Sequence, residues 1–234
     1  VCHVARVEGV AAANSYLVAV NVAHVRDTPP VRPGTRADRK PARTGIDKRP
    51  VTAPVRVGRL GLVGDTICDT RNHGGPDQAV YAYASEDTEW WQAELADELA
   101  FELGPGSLGE NLTLRGVEVT NSVIGERWRI GGVILQVAVP RLPCSTFASY
   151  WNVDRLVKRF TQAGRTGAYL RVLAEGELAA GDEVSVLDRP GHGLTLLETV
   201  RALTGDRSLA AKLLTAPELP DDVHRLARRW LGIS

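Results

Sequence analysis

Cys144 closes the string Val139-Pro140-Arg141-Leu142-Pro143-Cys144, directly after the apolar run Val133–Val139. The run reads as a buried strand. Pro140 should end it, because proline has no N–H to give to a ladder. A thiol held at a strand end, three residues from Arg141, is placed for chemistry. A neighbouring cation favours the thiolate, which is both nucleophile and metal ligand. The alternative is an ordinary small core residue, the usual fate of a free cysteine.

Three further segments carry groups of the same kind. Arg43-Thr44-Gly45-Ile46-Asp47-Lys48 offers a hydroxyl, a glycine and a lysine just before a strand, the parts needed to bind a phosphate or another oxyanion. Arg71-Asn72-His73-Gly74-Gly75-Pro76 follows Gly64-Asp65 and Asp69. Its glycine pair, Gly74 and Gly75, lets backbone approach a ligand closely, and Arg71 and His73 add donors. The spacing of Asp65, Asp69 and His73 also suits zinc, provided further ligands of defined geometry converge. Gly109-Glu110-Asn111-Leu112-Thr113 opens a strand. There Glu110 could hold a basic neighbour, and Asn111 could offer donor and acceptor to a heterocycle. The sequence has no Walker loop, dinucleotide fingerprint, His-Glu-x-x-His pair or nucleophile elbow.

The elements that must position these loops are mostly strands. Strand patterns fall at Tyr16–Val22, Val51–Leu60, Ala79–Tyr83, Asn111–Leu114, Arg127–Ile130, Val133–Val139, Gly167–Leu173 and Glu183–Leu187. Two helices are expected among them, one capped by Ser85 and running to about Ala100, the other over Val153–Gln162. Many strands and few helices point to a mainly β domain closed into a barrel. Arg26–Arg43, with four prolines and six basic residues, reads as a long loop whose arginines could draw in an anion. After Asp188 a linker, Arg189–Gly193, leads to three short helical patterns, Thr195–Leu203, Asp206–Leu214 and Pro220–Leu231. The expected division is therefore a domain over 1–188 and a three-helix segment over 189–234. Arg201, Arg225, Arg228 and Arg229 could give that segment a docking face for an acidic partner.

Composition narrows the function classes. Lysine and arginine total 28, aspartate and glutamate also 28, so no net charge draws the chain toward nucleic acid or a membrane surface. No run reaches the ~18 apolar residues needed to span a bilayer. Val10–Val25 is interrupted by Asn14, Ser15 and Asn21, and its Tyr16–Val22 part reads as a first core strand rather than a secretory segment. Three cysteines, Cys2, Cys68 and Cys144, with no Cys-x-x-Cys pair, suit free thiols in the cytoplasm.

Taken in order, Thr44-Gly45-Ile46-x-Lys48-x-Pro50-Val51, Gly64-Asp65 with Asp69, His73-Gly74-Gly75-Pro76-Asp77, Gly109-Glu110-Asn111-Leu112-Thr113 and Pro140-Arg141-x-Pro143-Cys144 resemble the motifs of MOSC-domain proteins, named for the molybdenum cofactor sulfurase C-terminal domain. Gly164-Arg165-Thr166-Gly167 adds a likeness to the bacterial YiiM-type group, and the resemblance covers about residues 16 to 188. It implies a MOSC-like β-barrel that binds a molybdenum cofactor (molybdopterin), with Cys144 as a ligand to molybdenum and the catalytic residue. Thr44, Gly45, Lys48, Arg71, His73, Gly74, Gly75, Asn111 and Arg141 would then form the cofactor cradle. The implied reaction is reduction of small N-hydroxylated substrates, hydroxylaminopurine-like bases and amidoximes, with electrons from a separate reductase. A non-catalytic cofactor carrier needs the same cradle, and sulfur transfer with Cys144 as a persulfide carrier is a third reading. Cys68 stands where relatives usually have a small non-thiol residue, and the Arg26–Arg43 loop is longer and richer in arginine than theirs.

Overall fold

The segment that carries Cys144 follows the central hairpin of a large curved sheet. The computed structural model describes residues 15–27 and 43–233. Cys2 and nearly all of the Arg26–Arg43 loop lie outside them. Thirteen strands are described: β1 (Tyr16–Ala23), β2 (Arg26–Asp27), β3 (Arg43–Thr44), β4 (Lys48–Val51), β5 (Val55–Gly58), β6 (Gly61–Leu62), β7 (Val80–Ala84), β8 (Leu112–Arg115), β9 (Arg127–Ile130), β10 (Val133–Pro140), β11 (Ala168–Ala174), β12 (Gly176–Leu178) and β13 (Val184–Asp188). The helices are α1 (Ser85–Glu94), α2 (Ser145–Trp151), α3 (Leu156–Ala163), α4 (Leu196–Leu203), α5 (Ala210–Leu213) and α6 (Asp221–Leu231).

Eight strands form one mixed sheet in the order β13-β9-β10-β11-β7-β8-β1-β4. Its pairs are antiparallel except β7 with β8, which run parallel. A parallel pair needs a crossover, and α1 supplies it. β5, β6 and β12 make a smaller sheet, and β2 pairs with β3.

The expected closed barrel is corrected to a curled, incompletely closed sheet. The N-terminal end of β1 reaches the chain just before β13 through Leu17 N–H to Asp182 O (2.8 Å) and Val184 N–H to Ser15 O (2.9 Å). Among the described residues, a single isolated bridge, Tyr16 with Glu183, joins the two there. The reason lies in β1. One edge pairs with β8 along Tyr16–Val20, while its C-terminal half, Val20–Ala23, pairs with β4. The outer edge of β1 is thus divided between two partners, and among the described residues no continuous ladder closes the ring.

The helix count also exceeds the expectation of two before the C-terminal three. α2 begins immediately after Cys144 and carried no apolar period long enough to read. α1 stops at Glu94 rather than near Ala100, because the chain turns back and Leu103 N–H donates to Gln92 Oε1 at 2.7 Å. The strand read over Val51–Leu60 is broken at Thr52–Pro54 into β4 and β5, where the chain leaves the large sheet for the smaller one and Pro54 has no N–H to give to a ladder. β10 ends at Pro140 as expected.

Two apolar clusters hold the frame. One lies within the sheet and includes Leu17, Val80, Trp128, Leu135 and Leu170, extended by Leu196, Ala202, Leu213, Leu219 and Ala227 from the C-terminal helices. The other is aromatic: Tyr81, Tyr83, Trp91, Phe147, Trp151 and Phe160. β7 feeds both, because successive side chains point to opposite faces. Val80, Ala82 and Ala84 enter the first cluster, Tyr81 and Tyr83 the second.

Candidate active site

Cys144 leaves β10 through Pro140–Pro143 and stands at the N-cap of α2. That helix is fixed by its aromatic residues. Phe147 lies 4.9 Å from Trp151 and from Phe160 between ring centroids, and Trp91 stacks on Phe160 at 5.0 Å. Trp151 Nε1–H donates to Ser107 O at 2.9 Å. Gly167 lets β11 pass close to this cluster. It has φ +71°, and a Cβ there would stand 2.6 Å from Tyr83 Cδ2.

Cys144, Arg141, Lys48 and Asn111 line one cavity with Thr44, Gly45, His73 and Gly74. Arg71 and Gly75, also expected in the cradle, are exposed and outside this lining. Asp69 holds that loop by accepting from Arg71 N–H and from Asn72 Nδ2, at 3.3 and 3.0 Å. The Thr44 loop packs so closely on Thr66 that a Cβ on Gly45 would lie 2.4 Å from Thr66 O. Thr44 Oγ1 accepts from Ile46 N–H at 3.2 Å. Cys68 lines the same cavity.

The cations divide into two kinds. Lys48 is paired: its Nζ lies 2.5 Å from Asp65 Oδ2. Burial draws the lysine below its ordinary pKa, and Asp65 opposes that. Burial would raise Asp65, but Lys48, Asn111 and the Ala23 amide outweigh it and hold the carboxyl below the usual range. Arg141 is different. It is buried, donates from Nη1 to Leu108 O at 2.5 Å, and lies 4.9 Å from the ring centroids of Tyr81 and Phe147. No carboxylate stands within 4.0 Å of it among the described residues. Its charge bears instead on Cys144. Burial alone would raise that thiol, yet hydrogen bonding from His73, the Arg141 charge and the Phe147 amide bring it down to about 6. The site thus holds a thiolate at neutral pH beside a buried cation.

Two expected roles change. Asn111 spends its amide inside the protein. Nδ2 donates to Asp65 Oδ2 (2.8 Å) and Asn21 O (3.3 Å), and Oδ1 accepts from Tyr81 N–H (3.1 Å). Glu110 forms no ion pair among the described residues. Fully buried, it accepts from Gly106 N–H (2.6 Å), Leu108 N–H (3.0 Å) and Thr113 Oγ1 (2.7 Å). Among the described residues, no three His, Cys, Asp or Glu side chains gather as a metal site, so the zinc spacing is not realised there.

Arg165 of the Gly164–Gly167 segment turns away from the cavity, pairing with Asp87 and lying 4.8 Å from the Trp90 ring. Sequence reasoning passed over Tyr169, which lines the cavity with its hydroxyl 3.4 Å from His73 Nδ1. A tyrosine just after that segment, in a strand whose one other polar residue is Arg171, was the available signal.

The MOSC domain profile matches residues 69–185, which include Cys144 and His73. A Bacillus subtilis relative, uncharacterized protein YflK, is 36% identical over 193 residues, 82% of this chain and 84% of its own. The chain belongs to the MOSC domain family. A second relative, from Gibberella moniliformis and named a reductase, is 30% identical over 205 residues; these are 82% of this chain but only 36% of that protein. The crystal structure of YiiM from Geobacillus stearothermophilus superposes with a TM-score of 0.73 at 27% identity, covering 93% of this MOSC chain and 100% of YiiM. No helix among the described residues is long and apolar enough to cross a membrane.

Proposed function

We propose that this chain is a molybdenum-cofactor-dependent oxidoreductase. It reduces N-hydroxylated compounds, such as hydroxylaminopurine-like bases and amidoximes, with electrons from a separate reductase. The observation that carries this reading is Cys144, a thiol brought to about 6 beside Arg141, a buried cation without a carboxylate partner among the described residues. A soft anionic donor suits a metal already held by sulfur, and an uncompensated buried cation calls for an anionic ligand. The cavity's donor set therefore fits a molybdopterin, which supplies the redox chemistry when bound.

The chain's own groups would act as follows. Cys144 holds the metal, and Arg141 offsets the anionic charge. The Thr44-Gly45 and His73-Gly74 loops contact the organic part of the cofactor. Lys48 and Asp65, already paired, keep the walls in place rather than neutralising the ligand. Overall, an N–O bond breaks, two electrons and two protons are taken up, and the oxygen leaves as water. Of the proton-bearing side chains at the cavity, His73 and Tyr169 stand beside Cys144.

The name of the Gibberella relative supports a redox role, and most of that protein's length lies outside the aligned part. Exposed Arg225, Arg228 and Arg229 on α6 offer an acidic electron donor a cationic face. Free Cys68 and Cys144 suit the cytoplasm. The test is reconstitution of the apoprotein with molybdopterin, then turnover of an amidoxime by an artificial low-potential reductant. Turnover that disappears in Cys144→Ser, with melting unchanged, is the expected result. Tight metal retention without turnover would make the chain a carrier. Sulfur transfer from a Cys144 persulfide would make it a sulfurtransferase.

A further inference from the structure

We propose that Tyr169 is a positioning residue, whose hydroxyl donates to His73 Nδ1 and so leaves the neutral imidazole its proton on Nε2. The inference deepens the proposed reaction and rests on that reading for its kinetic consequence only.

The geometry sets the direction of the bond. Tyr169 Oη lies 3.4 Å from His73 Nδ1. A phenol can donate or accept, but Arg141, seated 4.9 Å from the Tyr81 ring that packs on Tyr169, also acts on this hydroxyl, and guanidinium has only donors. The lone pairs of Tyr169 Oη therefore turn to Arg141, and its proton turns to the histidine. The second phenol near Arg141 follows the same logic. Tyr81 Oη spends its proton on Thr166 O at 2.8 Å, leaving its lone pairs for the cation.

Tyr169 is rigid enough to do this. It lies on β11, in register with Val139 on one side and Tyr81 on the other, and its ring sits 5.3 Å from that of Tyr81. His73, by contrast, belongs to the loop before Pro76–Gln78, where its backbone N–H reaches Asp69 O at 3.1 Å. A ring on such a loop needs an external partner to choose its tautomer. With Nδ1 taken by the phenol, Nε2–H is the donor left for the thiolate and for an oxygen departing from substrate. An orienting partner of this type is worth roughly ten- to a hundredfold in activity.

Tyr169→Phe keeps the ring and removes only the hydroxyl. Two-bond proton–nitrogen correlation spectra of histidine-labelled apoprotein, recorded where imidazole is neutral, report the tautomer without any cofactor. The wild-type chain should show His73 as the single Nε2–H form, and Tyr169→Phe should shift it to a mixture. If Tyr169→Phe does not fold, 3-fluorotyrosine at position 169 sharpens the phenol acidity and should move the His73 Nδ1 resonance. A wild-type Nδ1–H tautomer, or a His73 signal indifferent to either change, overturns the proposal. In reconstituted protein, Tyr169→Phe should lower kcat by roughly ten- to a hundredfold with KM little changed. A tautomer that depends on Tyr169 in a protein with no reductase activity would sink the functional reading and leave this one standing. Equal loss in kcat and melting temperature with an unaltered tautomer would mark Tyr169 as structural only.

Discussion

Arg141 and His73 act on one sulfur from two directions, and the consequence can be measured. The Cys144 thiol lies at about 6, so alkylation by iodoacetamide should be fast at neutral pH and fall away as pH drops through about 6. Removing the cation in Arg141→Leu should move the inflection upward and slow the reaction at neutral pH. A profile unchanged by that substitution would mean the Arg141 charge does not reach the thiol. Lys48 behaves differently because Asp65 already neutralises it. Asp65→Asn leaves a buried ammonium without its partner and should cost ~3–5 kcal/mol of stability, read from denaturant unfolding. The sign of the pH effect follows from the depressed Asp65 carboxyl. Its contribution is complete above the unfolded carboxylate pKa and is lost as pH falls through the lower folded value. His73 sits on a loop, so His73→Ala should reduce cofactor retention more than melting temperature. Equal losses would make it a structural residue.

At the scale of elements, α2 is held by aromatic packing rather than by length. It has seven residues, too short to persist alone, and its Phe147 and Trp151 are buried against Trp91 and Phe160. Phe160→Ala should therefore cost ~3–5 kcal/mol and also loosen the N-terminal end of α2 that carries Cys144. The check is double: the denaturation midpoint, and the protection of Cys144 from alkylation. Destabilisation with unaltered Cys144 reactivity would show that the aromatic cluster does not position the thiol. α4 offers the control. Thr195 caps it in a reciprocal box with Glu198, so Thr195→Ala should cost ~1 kcal/mol and leave the cavity's chemistry untouched.

At the scale of the whole molecule, the C-terminal helices and the sheet bury their side chains in one cluster. Leu196, Ala202, Leu213, Leu219 and Ala227 pack with Trp128, Leu135 and Leu170. At the junction, Arg189 Nε donates to the buried Glu126 at 2.7 Å, and Glu126 also accepts from Trp128 Nε1 at 2.8 Å. Thermal unfolding followed by calorimetry should thus show a single cooperative transition. Two resolved transitions would mean that the residues after Asp188 fold as an independent unit. Removal of those residues should expose apolar surface and lower solubility, whatever their part in partner docking.

Local pattern carried much of this protein. The apolar run of β10, its stop at Pro140 and most strand positions follow from propensity and period alone, because they depend on neighbours a few residues away. The convergence of Thr44, Lys48, His73, Asn111, Arg141 and Cys144 was legible only as motifs in order. Their roles were not. Whether Lys48 is a free cation or is cancelled by Asp65, and whether Asn111 faces a ligand or ties Asp65 to β7, depends on partners tens of residues away. α2 escaped notice because seven residues cannot show a helical period, and its stability comes from Trp91 and Phe160 on other elements. Closure of the sheet was misjudged for the same reason: strand content says nothing of how β1 divides its edge between β4 and the chain before β13. Tyr169 became a site residue only when the register of β11 with β7 and β10 placed its hydroxyl at His73. The sequence by itself determined which groups are present and roughly where most strands of the large sheet lie. Tertiary structure decided which charges are paired, which hydroxyls are aimed, and which thiol stands beside an uncompensated arginine, since burial and electrostatics are properties of contacts between distant parts of the chain.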